Sequence, residues 1–275
     1  MRPDRTWRVF TRADDPWTPE TWMHVADAAC AESPVHASKH AATYRWSSEG
    51  REIYVKNYHA YSRLTMLKDC LRPSKASHVQ RISDRLAAQG FVVPEVVAVA
   101  EQRWGPIVRR SWVATTALAG TPVAVDLALT DRHLHAKHAT LRAIGTAVAR
   151  LHEARFTAGD LVPSNIWIDE GRVAFLDHDR TTAGYWASSW WRTRRNLVQL
   201  NRHVLPGVTA TDRLRVYRAY TSARGWESSR ARRRLGWVVR KTIQRRQRFD
   251  GVSPDYTARV SFRELMRAPT KGPVT

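Results

Sequence analysis

Three oxygen-bearing side chains between Phe156 and Arg180 have the types and the spacing of a phosphoryl-transfer site. Asp160 and Asn165 have the spacing D-x-x-x-x-N, in a segment whose glycine and proline predict a loop. Asn165 and the later Asp177 would supply the oxygen ligands that Mg²⁺ prefers beside nucleotide phosphates. Asp160 would orient an attacking hydroxyl and accept its proton. This spacing, followed by a metal-binding aspartate, is part of the protein-kinase signature.

A short hairpin is predicted between Asn165 and Asp177. Residues 166–168 and 173–176 have the apolar, β-branched character of strands, and residues 169–171 (Asp-Glu-Gly) supply the turn. A hairpin returns the chain, so Asp177 at its end would approach Asn165 at its start. Asp and Asn are also common turn residues, and the alternative is an ordinary hairpin with polar turns. The order of loop, Asn, hairpin and Asp favours the site.

The composition narrows the class of protein. With 275 residues, 43% of them hydrophobic, the chain can form one bilobal domain or two small domains. Its two cysteines form no framework, and its most apolar run, residues 91–100, is too short for a bilayer and contains a proline. The first residues lack the apolar core of a signal peptide. We therefore expect a cytoplasmic protein, either soluble or peripheral to a membrane.

The net charge of +20 indicates an anionic partner. Nucleic acid, an acidic membrane surface and an acidic substrate would each fit this charge. A genome rich in arginine codons is the alternative explanation for part of it.

The first part of the chain has the pattern of a small sheet-containing lobe. An N-terminal extension over residues 1–35 precedes it and contains a helix that starts at Thr18. Lys56 is a candidate for binding nucleotide phosphates, although a solvent-facing strand lysine is the commoner case. A glycine-rich phosphate loop is absent from the sequence. We place a lobe boundary near residue 119. Strands are predicted at 42–46, 51–58, 96–99 and 106–118, and a helix at 75–89.

The second part has the pattern of a helical lobe. A helix at 130–154 leads into the Asp160 loop, and two helices fill residues 192–224. The densely basic stretch 230–248 carries apolar residues on one face. This basic helix would either lie on an anionic membrane or pack on the lobe with its arginine face in solvent. Residues 269–275 are expected to form a flexible tail.

Several motifs in chain order carry a family likeness. On these motifs the chain resembles the lipopolysaccharide-core sugar kinases, the Kdo and heptose kinase group, over about residues 42–224. The motifs are Tyr54-Val55-Lys56-Asn57-Tyr58, the Gly90–Glu95 segment, Leu151-His152, the Gly159–Ile166 loop, Leu176-Asp177-His178-Asp179-Arg180, Arg194-Arg195-Asn196-Leu197, and the pattern Arg213, Tyr217, Tyr220.

The resemblance implies an α+β, protein-kinase-like bilobal fold. An antiparallel-sheet N-lobe would span residues 36–118, and a mostly helical C-lobe with the basic helix would span residues 119–268. ATP and Mg²⁺ would be the cofactors. Backbone groups of the hinge between the lobes, predicted at Thr115, Thr116 and Ala117, would contact the adenine.

The resemblance also implies roles for individual residues. Asp160 resembles the catalytic base, and Lys56 resembles the lysine that contacts nucleotide phosphates. Asn165 and Asp177 resemble the Mg²⁺ ligands. Asp179, the second acid of the D-x-D-R ending, would assist the metal or the loop geometry.

Two positions depart from the family pattern. Ala158 stands two residues before the catalytic aspartate, where the family usually has histidine. The helix at 75–89 should carry a glutamate that pairs with the phosphate-binding lysine, but Val79 falls near that place. Gln80 and Asp84 are the alternatives for this partner. Both departures are compatible with a slow or an inactive kinase.

Three functions follow from these observations. The first is a kinase that phosphorylates a Kdo or heptose hydroxyl of a lipopolysaccharide-type glycolipid, peripheral to the inner face of the cytoplasmic membrane. Its charge suits an acidic, membrane-borne acceptor, and nucleic acid is not the expected partner. The second is a small-molecule or protein kinase of related fold. The third is a pseudokinase that binds an anionic partner through its basic C-terminal helix.

Overall fold

The strands predicted around Lys56 form the centre of an antiparallel sheet in the computed structural model of the chain. The structure describes residues 7–38, 40–48, 50–58, 73–127, 134–203, 205 and 207–249. The chain splits into two compact units, Met1–Leu118 and Ala119–Thr275. A sheet dominates the first unit and helices dominate the second, so the predicted α+β fold class is confirmed. The lobe boundaries stay a prediction, and the tail at 269–275 lies outside the described residues.

Within the described residues, the sheet of the first unit has six strands in the order β1-β5-β6-β4-β3-β2. Each neighbouring pair is antiparallel, as predicted for a small lobe. The strands are β1 (Trp7–Thr11), β2 (His36–Ala37), β3 (Ala41–Ser48), β4 (Arg51–Tyr58), β5 (Val96–Trp104) and β6 (Ile107–Thr116).

Alternation along β4 separates the two faces of this sheet. Ile53 and Val55 are buried in a cluster with helix α1 (Pro19–Ala31). Tyr58 lies in a second cluster with helix α2 (Lys75–Ala88). Because successive strand side chains point to opposite faces, Lys56 shares the face of Tyr58 and α2.

The N-terminal segment belongs to the sheet, which the sequence did not predict. Strand β1 pairs with β5 and is only five residues long, too short for a clear alternating pattern. Helix α1 begins after Thr18 as predicted, and the Thr18 side chain accepts a hydrogen bond from the Thr21 N–H. Trp17 and Trp22 are buried against each other, with ring centroids 4.8 Å apart. The predicted extension, residues 1–35, therefore supplies an edge strand and core residues.

The second unit contains five helices within the described residues. Helices α4 and α6 approach closely at Gly145, where a Cβ would lie 2.8 Å from the Ala219 Cβ and would collide with the Val216 carbonyl. The helices are α3 (Val123–Asp126), α4 (Leu134–Glu153), α5 (Trp190–Arg202), α6 (Ala210–Ala223) and α7 (Ser228–Phe249).

Short strands and two 3₁₀ helices connect these helices. One sheet has the order β10-β9-β7, and a second pairs β11 with β8. The elements are β7 (Thr121–Pro122), β8 (Phe156–Thr157), the 3₁₀ helix η1 (Pro163–Asn165), β9 (Ile166–Asp169), β10 (Arg172–Phe175), β11 (Thr182–Ala183) and the 3₁₀ helix η2 (Tyr185–Ser188).

The basic helix α7 packs on the second unit. Its residues Val238, Thr242 and Arg246 are buried, and Asn201 of α5 donates a hydrogen bond to the Thr242 hydroxyl at 3.0 Å. Of the two alternatives for this helix, packing on the lobe is the one observed, and its apolar face is used in the core. In the described part of the chain, every helix falls short of the length and apolarity needed to cross a bilayer.

Helices α4 to α7 line an open apolar cavity of about 510 Å³. Its walls carry aliphatic side chains from each of these helices, among them Leu141, Ile144, Leu197, Leu214 and Val238.

Candidate active site

The predicted hairpin brings Asn165 beside the residues that lead to Asp177. Strands β9 and β10 pair antiparallel, and the Leu176 N–H donates to the Asn165 carbonyl at 2.9 Å. Glu170 and Gly171 form the two-residue turn with φ values of 47° and 80°, as a type I′ hairpin turn requires. Asn165 and Asp177 therefore stand at adjoining ends of the hairpin.

Asp177 holds a left-handed backbone conformation, with φ of 59°. Such a conformation costs energy for a residue with a side chain and clusters at functional sites. Asp177 is exposed, whereas the next residue, His178, is buried and Asp179 is half-buried. The turn after β10 therefore presents the Asp177 carboxylate at the surface of the second unit.

Two buried amide side chains of α5 hold the Asp160 loop. Asn196 donates from Nδ2 to the Ala158 carbonyl at 2.8 Å, and its Oδ1 accepts from the Ala158 N–H at 3.0 Å. Gln199 donates from Nε2 to the Gly159 carbonyl at 3.1 Å and to Asp160 Oδ1 at 2.9 Å. Asn196 also donates to Gln199 Oε1 at 2.8 Å, so the two amides fix each other.

The Asp160 carboxylate is oriented through one of its two oxygens. Oδ1 accepts from Gln199, while Oδ2 accepts no hydrogen bond from the described residues, and the side chain is exposed. Asn165 donates from Nδ2 to the Asp160 carbonyl at 3.1 Å. This bond fixes the orientation of the amide, and Oδ1, its acceptor atom, is the one that can bind a cation.

His152 supports the same network from beneath. It is fully buried between Tyr220 and Asn196, at 2.9 Å from the Tyr220 hydroxyl and 3.1 Å from Asn196 Oδ1. Burial lowers the pKa of His152 to about 4; the hydrogen bond to Asn196 opposes this shift, and the charge of Arg224 adds to it as a smaller cause. A neutral ring donates from Nε2 to Asn196 and accepts the Tyr220 hydroxyl at Nδ1.

This network accounts for the alanine at position 158. The N–H and the carbonyl of Ala158 are both bonded to Asn196, so α5 holds the loop without a side chain at 158. Sequence reasoning included Asn196, His152 and Tyr220 in the family likeness but gave them no role, and it missed Gln199. The separation of about 40 residues between Gln199 and Asp160 along the chain left no local signal.

Gly159 allows the loop to pass close to the segment after Asp177. A Cβ at Gly159 would collide with the side chain and backbone of Arg180. Strand β8 just before the loop pairs with β11 just after Arg180. The loop and the D-x-D-R ending are therefore packed together, which the spacing of their residues in the sequence does not reveal.

In the first unit, Lys56 lies in the middle of β4, opposite Thr43 and Val113. Its ammonium group is 5.7 Å from the centre of the Tyr58 ring, and that of Lys75 is 5.6 Å from the same ring. Lys75, at the start of α2, is a second cation that the sequence analysis did not select. Two ammonium groups around one ring concentrate positive charge on this face of the sheet, which suits an anionic ligand.

The predicted hinge residues lie at the end of β6. The Thr116 N–H donates to the Glu95 carbonyl at 2.9 Å, and the Ala117 N–H donates to the Glu52 carbonyl at 3.0 Å. Thr115 pairs with Tyr54 in the sheet. The N–H groups of Thr116 and Ala117 are therefore engaged within the first unit, so an adenine would have to use other backbone groups.

The resemblance implies a glutamate on α2 that pairs with Lys56. None of the three positions near its expected place, Val79, Gln80 and Asp84, carries a glutamate. Val79 is buried in the apolar cluster that contains Tyr58, so this position serves the core. Gln80 is half-buried and Asp84 is exposed on α2. Gln80 or Asp84 as the partner of Lys56 stays a prediction.

The oxygen-bearing side chains of the second unit suit a metal ion that is bound together with a nucleotide, whose phosphates supply most of its ligands. Among the described residues, no group of three or more His, Cys, Asp or Glu could hold a metal ion by itself. Mg²⁺ bound with a nucleotide needs only one or two carboxylates, because phosphate oxygens and water complete its shell. The Asn165 amide oxygen and the exposed Asp177 carboxylate at adjoining ends of the hairpin fit this requirement.

An antiparallel sheet unit, together with a helical unit that carries a D-x-x-x-x-N loop, a hairpin and an aspartate, defines the class of kinase-like proteins. The chain belongs to the lipopolysaccharide kinase (Kdo/WaaP) family, whose model matches residues 37–220. The resemblance read from the sequence motifs is thereby confirmed.

A solved structure supports the same fold. The chain is similar to the structure described as WaaP in complex with acyl carrier protein, with a TM-score of 0.60 and 19% sequence identity. The likeness covers 86% of this chain and 98% of that chain. As 1420 chains of solved structures match, this likeness shows the fold and does not by itself define the substrate. No curated protein matches the chain.

Proposed function

We propose that the chain transfers the γ-phosphate of ATP to a sugar hydroxyl, of Kdo or heptose, on lipopolysaccharide core or a similar glycolipid. The observation that carries this proposal is the Asp160 carboxylate, held by Gln199 through one oxygen. The hairpin that carries Asn165 and Asp177 follows directly. Membership of the lipopolysaccharide kinase family supports kinase chemistry.

Asp160 would act on the acceptor. With Oδ1 held by Gln199, Oδ2 accepts a hydrogen bond from one sugar hydroxyl and orients its oxygen towards the phosphate. As the new O–P bond forms and the bond to the ADP oxygen breaks, the hydroxyl proton passes to Oδ2. The carboxylate therefore both selects and activates the nucleophile.

The remaining residues would bind the nucleotide. Asn165 Oδ1 and the Asp177 carboxylate would hold Mg²⁺, with Asp179 assisting from the same turn. When bound, Mg²⁺ supplies positive charge that stabilises the phosphate oxygens. Lys56, with Lys75 beside it, would contact the phosphates.

Thermal-shift titration with ATP tests the nucleotide site. Binding should stabilise the wild-type protein by about 2.7 kcal/mol at a hundredfold excess over Kd, and only with Mg²⁺ present. Asp177→Ala should lose the Mg²⁺-dependent shift, while Asp160→Asn should keep it. The absence of any shift in the wild type would favour the pseudokinase.

Acceptor profiling tests the substrate class. Wild-type protein should phosphorylate glycolipids that end in Kdo or heptose, and Asp160→Asn should abolish this transfer without a change in the circular dichroism spectrum. Soluble aminoglycosides and peptides should remain unmodified. Their phosphorylation would establish the small-molecule or protein kinase instead, and unchanged turnover in Asp160→Asn would refute the assigned base.

The acceptor is the reason to place the protein at a membrane. A glycolipid acceptor is anchored in a bilayer, so the enzyme would act on it as a peripheral protein at the inner face of the cytoplasmic membrane. The net charge of +20 supports contact with an anionic surface.

The apolar cavity supports a further partner. The similar solved structure is a complex with acyl carrier protein, and we propose that an acylated carrier protein also binds this chain, with its acyl chain in the open cavity lined by α4 to α7. Each buried methylene would stabilise the complex by about 0.8 kcal/mol. Thermal stabilisation by acylated carrier protein, and not by the form without an acyl chain, is expected; equal effects of both forms would contradict this use of the cavity.

A further inference from the structure

Three large aromatic side chains of the second unit are strongly exposed along one short stretch. Tyr185, Trp186 and Trp191 expose 68%, 76% and 71% of their surface. The rings of Tyr185 and Trp186 are 5.8 Å apart and edge-on. Exposed apolar groups clustered in this way mark an interaction surface rather than ordinary surface variation.

The aromatic residues are displayed on a fixed base. In η2, the Ala187 carbonyl accepts a hydrogen bond from the buried Thr157 hydroxyl, and the Gly184 N–H donates to the Arg155 carbonyl at 2.9 Å. The Arg155 guanidinium lies 5.4 Å from the Tyr185 ring. The backbone segment that carries Tyr185 and Trp186 is therefore tied to the rest of the second unit by hydrogen bonds.

Stacked arginines connect Trp191 to the basic helix α7. The Arg194 guanidinium lies 4.0 Å from the Trp191 ring and 4.5 Å from the Trp237 ring of α7. Arg234 of α7 in turn lies 4.4 Å from the ring of Trp190. We call Tyr185, Trp186, Trp191 and the exposed face of α7 the aromatic–arginine surface.

The exposed face of α7 supplies only positive charge. The helix contains eight arginines, one lysine and no acidic residue, and it is about 33 Å long at 1.5 Å per residue. Arg232, Arg233, Arg240 and Lys241 are exposed along it. Since the apolar face of α7 is buried in the core, this helix can attract an anionic surface but has no apolar side left to insert.

We propose that the aromatic–arginine surface docks on an anionic lipid bilayer. Tyr185, Trp186 and Trp191 enter the boundary between headgroups and acyl chains, where tryptophan and tyrosine are favoured. The cations of α7 contact the anionic headgroups. The role of this docking, which is to bring the enzyme to a membrane-borne acceptor, rests on the proposed function. The binding of the surface to a bilayer does not.

Charge and shape favour a bilayer over a protein partner. Protein interfaces are also enriched in tyrosine, tryptophan and arginine, but they surround an apolar centre with a polar rim. Here the aromatic side chains protrude, and the adjoining helix face offers a single sign of charge over its whole length. A fluid anionic surface complements both features.

Vesicle flotation with the full-length protein tests this proposal in the absence of ATP and acceptor. Wild-type protein should bind phosphatidylcholine vesicles that contain phosphatidylglycerol and should bind pure phosphatidylcholine vesicles far more weakly. The double variant Trp186→Ser/Trp191→Ser should have an affinity for the anionic vesicles that is lower by about tenfold or more. The matched control Trp104→Ser, an exposed tryptophan of the first unit at 53% exposure, should bind like the wild type.

Charge reversal separates the two parts of the surface. Arg232→Glu/Arg233→Glu should remove the preference for anionic vesicles. The proposal would be overturned if the tryptophan double variant bound anionic vesicles as well as the wild type does. It would also be overturned if the protein used this surface to bind an acidic carrier protein and did not bind vesicles. Phosphotransfer to a deacylated, soluble acceptor should be unchanged in the tryptophan variant. If neither the wild type nor the variant phosphorylates that acceptor, the proposed function is wrong. The vesicle experiment still shows, independently, whether this surface binds a bilayer.

Discussion

The hydrogen bonds of Gln199 decide how the Asp160 carboxylate can act. Gln199 is almost fully buried, and its amide spans the Gly159 carbonyl and Asp160 Oδ1. A free aspartate on an exposed loop would rotate among several rotamers. With Oδ1 fixed, one oxygen is presented to the acceptor, so Gln199 is a positioning residue for the proposed base.

We expect Gln199→Ala to lower kcat by about 10- to 100-fold with little change in the KM for ATP, since small misplacements of a catalytic group cost this much. Gln199→Glu should place a second carboxylate beside Asp160, and two like charges at this distance disfavour the state in which both are ionised. The acid limb of the kcat/KM profile should then move to higher pH. Gln244→Ala, on the exposed face of α7, serves as the control in steady-state kinetics with a deacylated, soluble acceptor, for which membrane docking is not needed. An unmoved pH profile in Gln199→Glu would assign Gln199 a purely structural role.

His152 makes the stability of the second unit depend on pH. Its pKa is about 4 in the folded protein and near 6.5 in an unfolded chain. Between these values the unfolded state binds more protons, so stability is complete above pH 6.5 and falls as the pH drops towards 4.

We expect denaturant unfolding of the wild type to lose on the order of 3 kcal/mol from this group between pH 6.5 and 4. His152→Gln should be less stable at pH 7 because it disturbs the bonds to Tyr220 and Asn196, but its stability should depend less on pH over this range. Parallel curves for the two proteins would show that His152 does not titrate as assigned.

At the scale of elements, helix α5 has two roles. Its buried face holds the Asp160 loop, and its exposed face contributes to the aromatic–arginine surface. Asn196 and Gln199 hold the Asp160 loop, while Trp191 and Arg194 belong to the surface beside α7. The packing of α4 on α6 fixes His152 and Tyr220 beneath the loop. Precision at the site therefore depends on helix packing far from the reacting groups.

Two glycines test this packing. Gly145→Ala should destabilise the protein by about 1–3 kcal/mol, because its methyl group would press on Val216 and Ala219 of α6. Gly236→Ala in α7 meets no atom within 4 Å and should stabilise by about 0.5–1 kcal/mol through helix propensity. Urea unfolding of both variants measures the difference; equal effects would contradict the close approach of α4 and α6.

At the scale of the whole molecule, helix α7 both carries a large share of the positive charge and contributes apolar residues to the core. Helix α7 carries nine of the 45 basic residues, and its inner face lines the cavity with Leu235, Val238 and Val239. A basic tail that only binds anions would not bury such residues. The helix is therefore part of the folded second unit.

We expect a chain truncated after Glu227 to lose several degrees of melting temperature or to unfold in its second unit, because burial of Val238 alone contributes roughly 1.5–3 kcal/mol. Removal of residues 269–275, predicted to be a flexible tail, is the control and should leave the melting temperature unchanged. Differential scanning calorimetry measures both. An unchanged melting curve after the larger truncation would show that α7 is a dispensable appendage.

The sequence by itself determined the features that neighbouring residues encode. The Thr18 cap, the hairpin from Ile166 to Phe175, and the alternation of β4 around Lys56 follow from local turn chemistry and periodicity. The motifs from Asp160 to Asp177 also indicated the family, since the reaction needs these residue types at short, fixed separations.

Only the tertiary structure decided which distant groups meet. The bond of Gln199 to Asp160, the pairing of β1 with β5, and the inward face of α7 depend on which elements pack together. Hydrogen bonds and apolar burial depend on distance in space, and that distance is set by the fold of the whole unit and leaves no mark on adjacent residues. For this reason the candidate acids could be selected from the sequence, whereas the amides of α5 that hold the Asp160 loop could not.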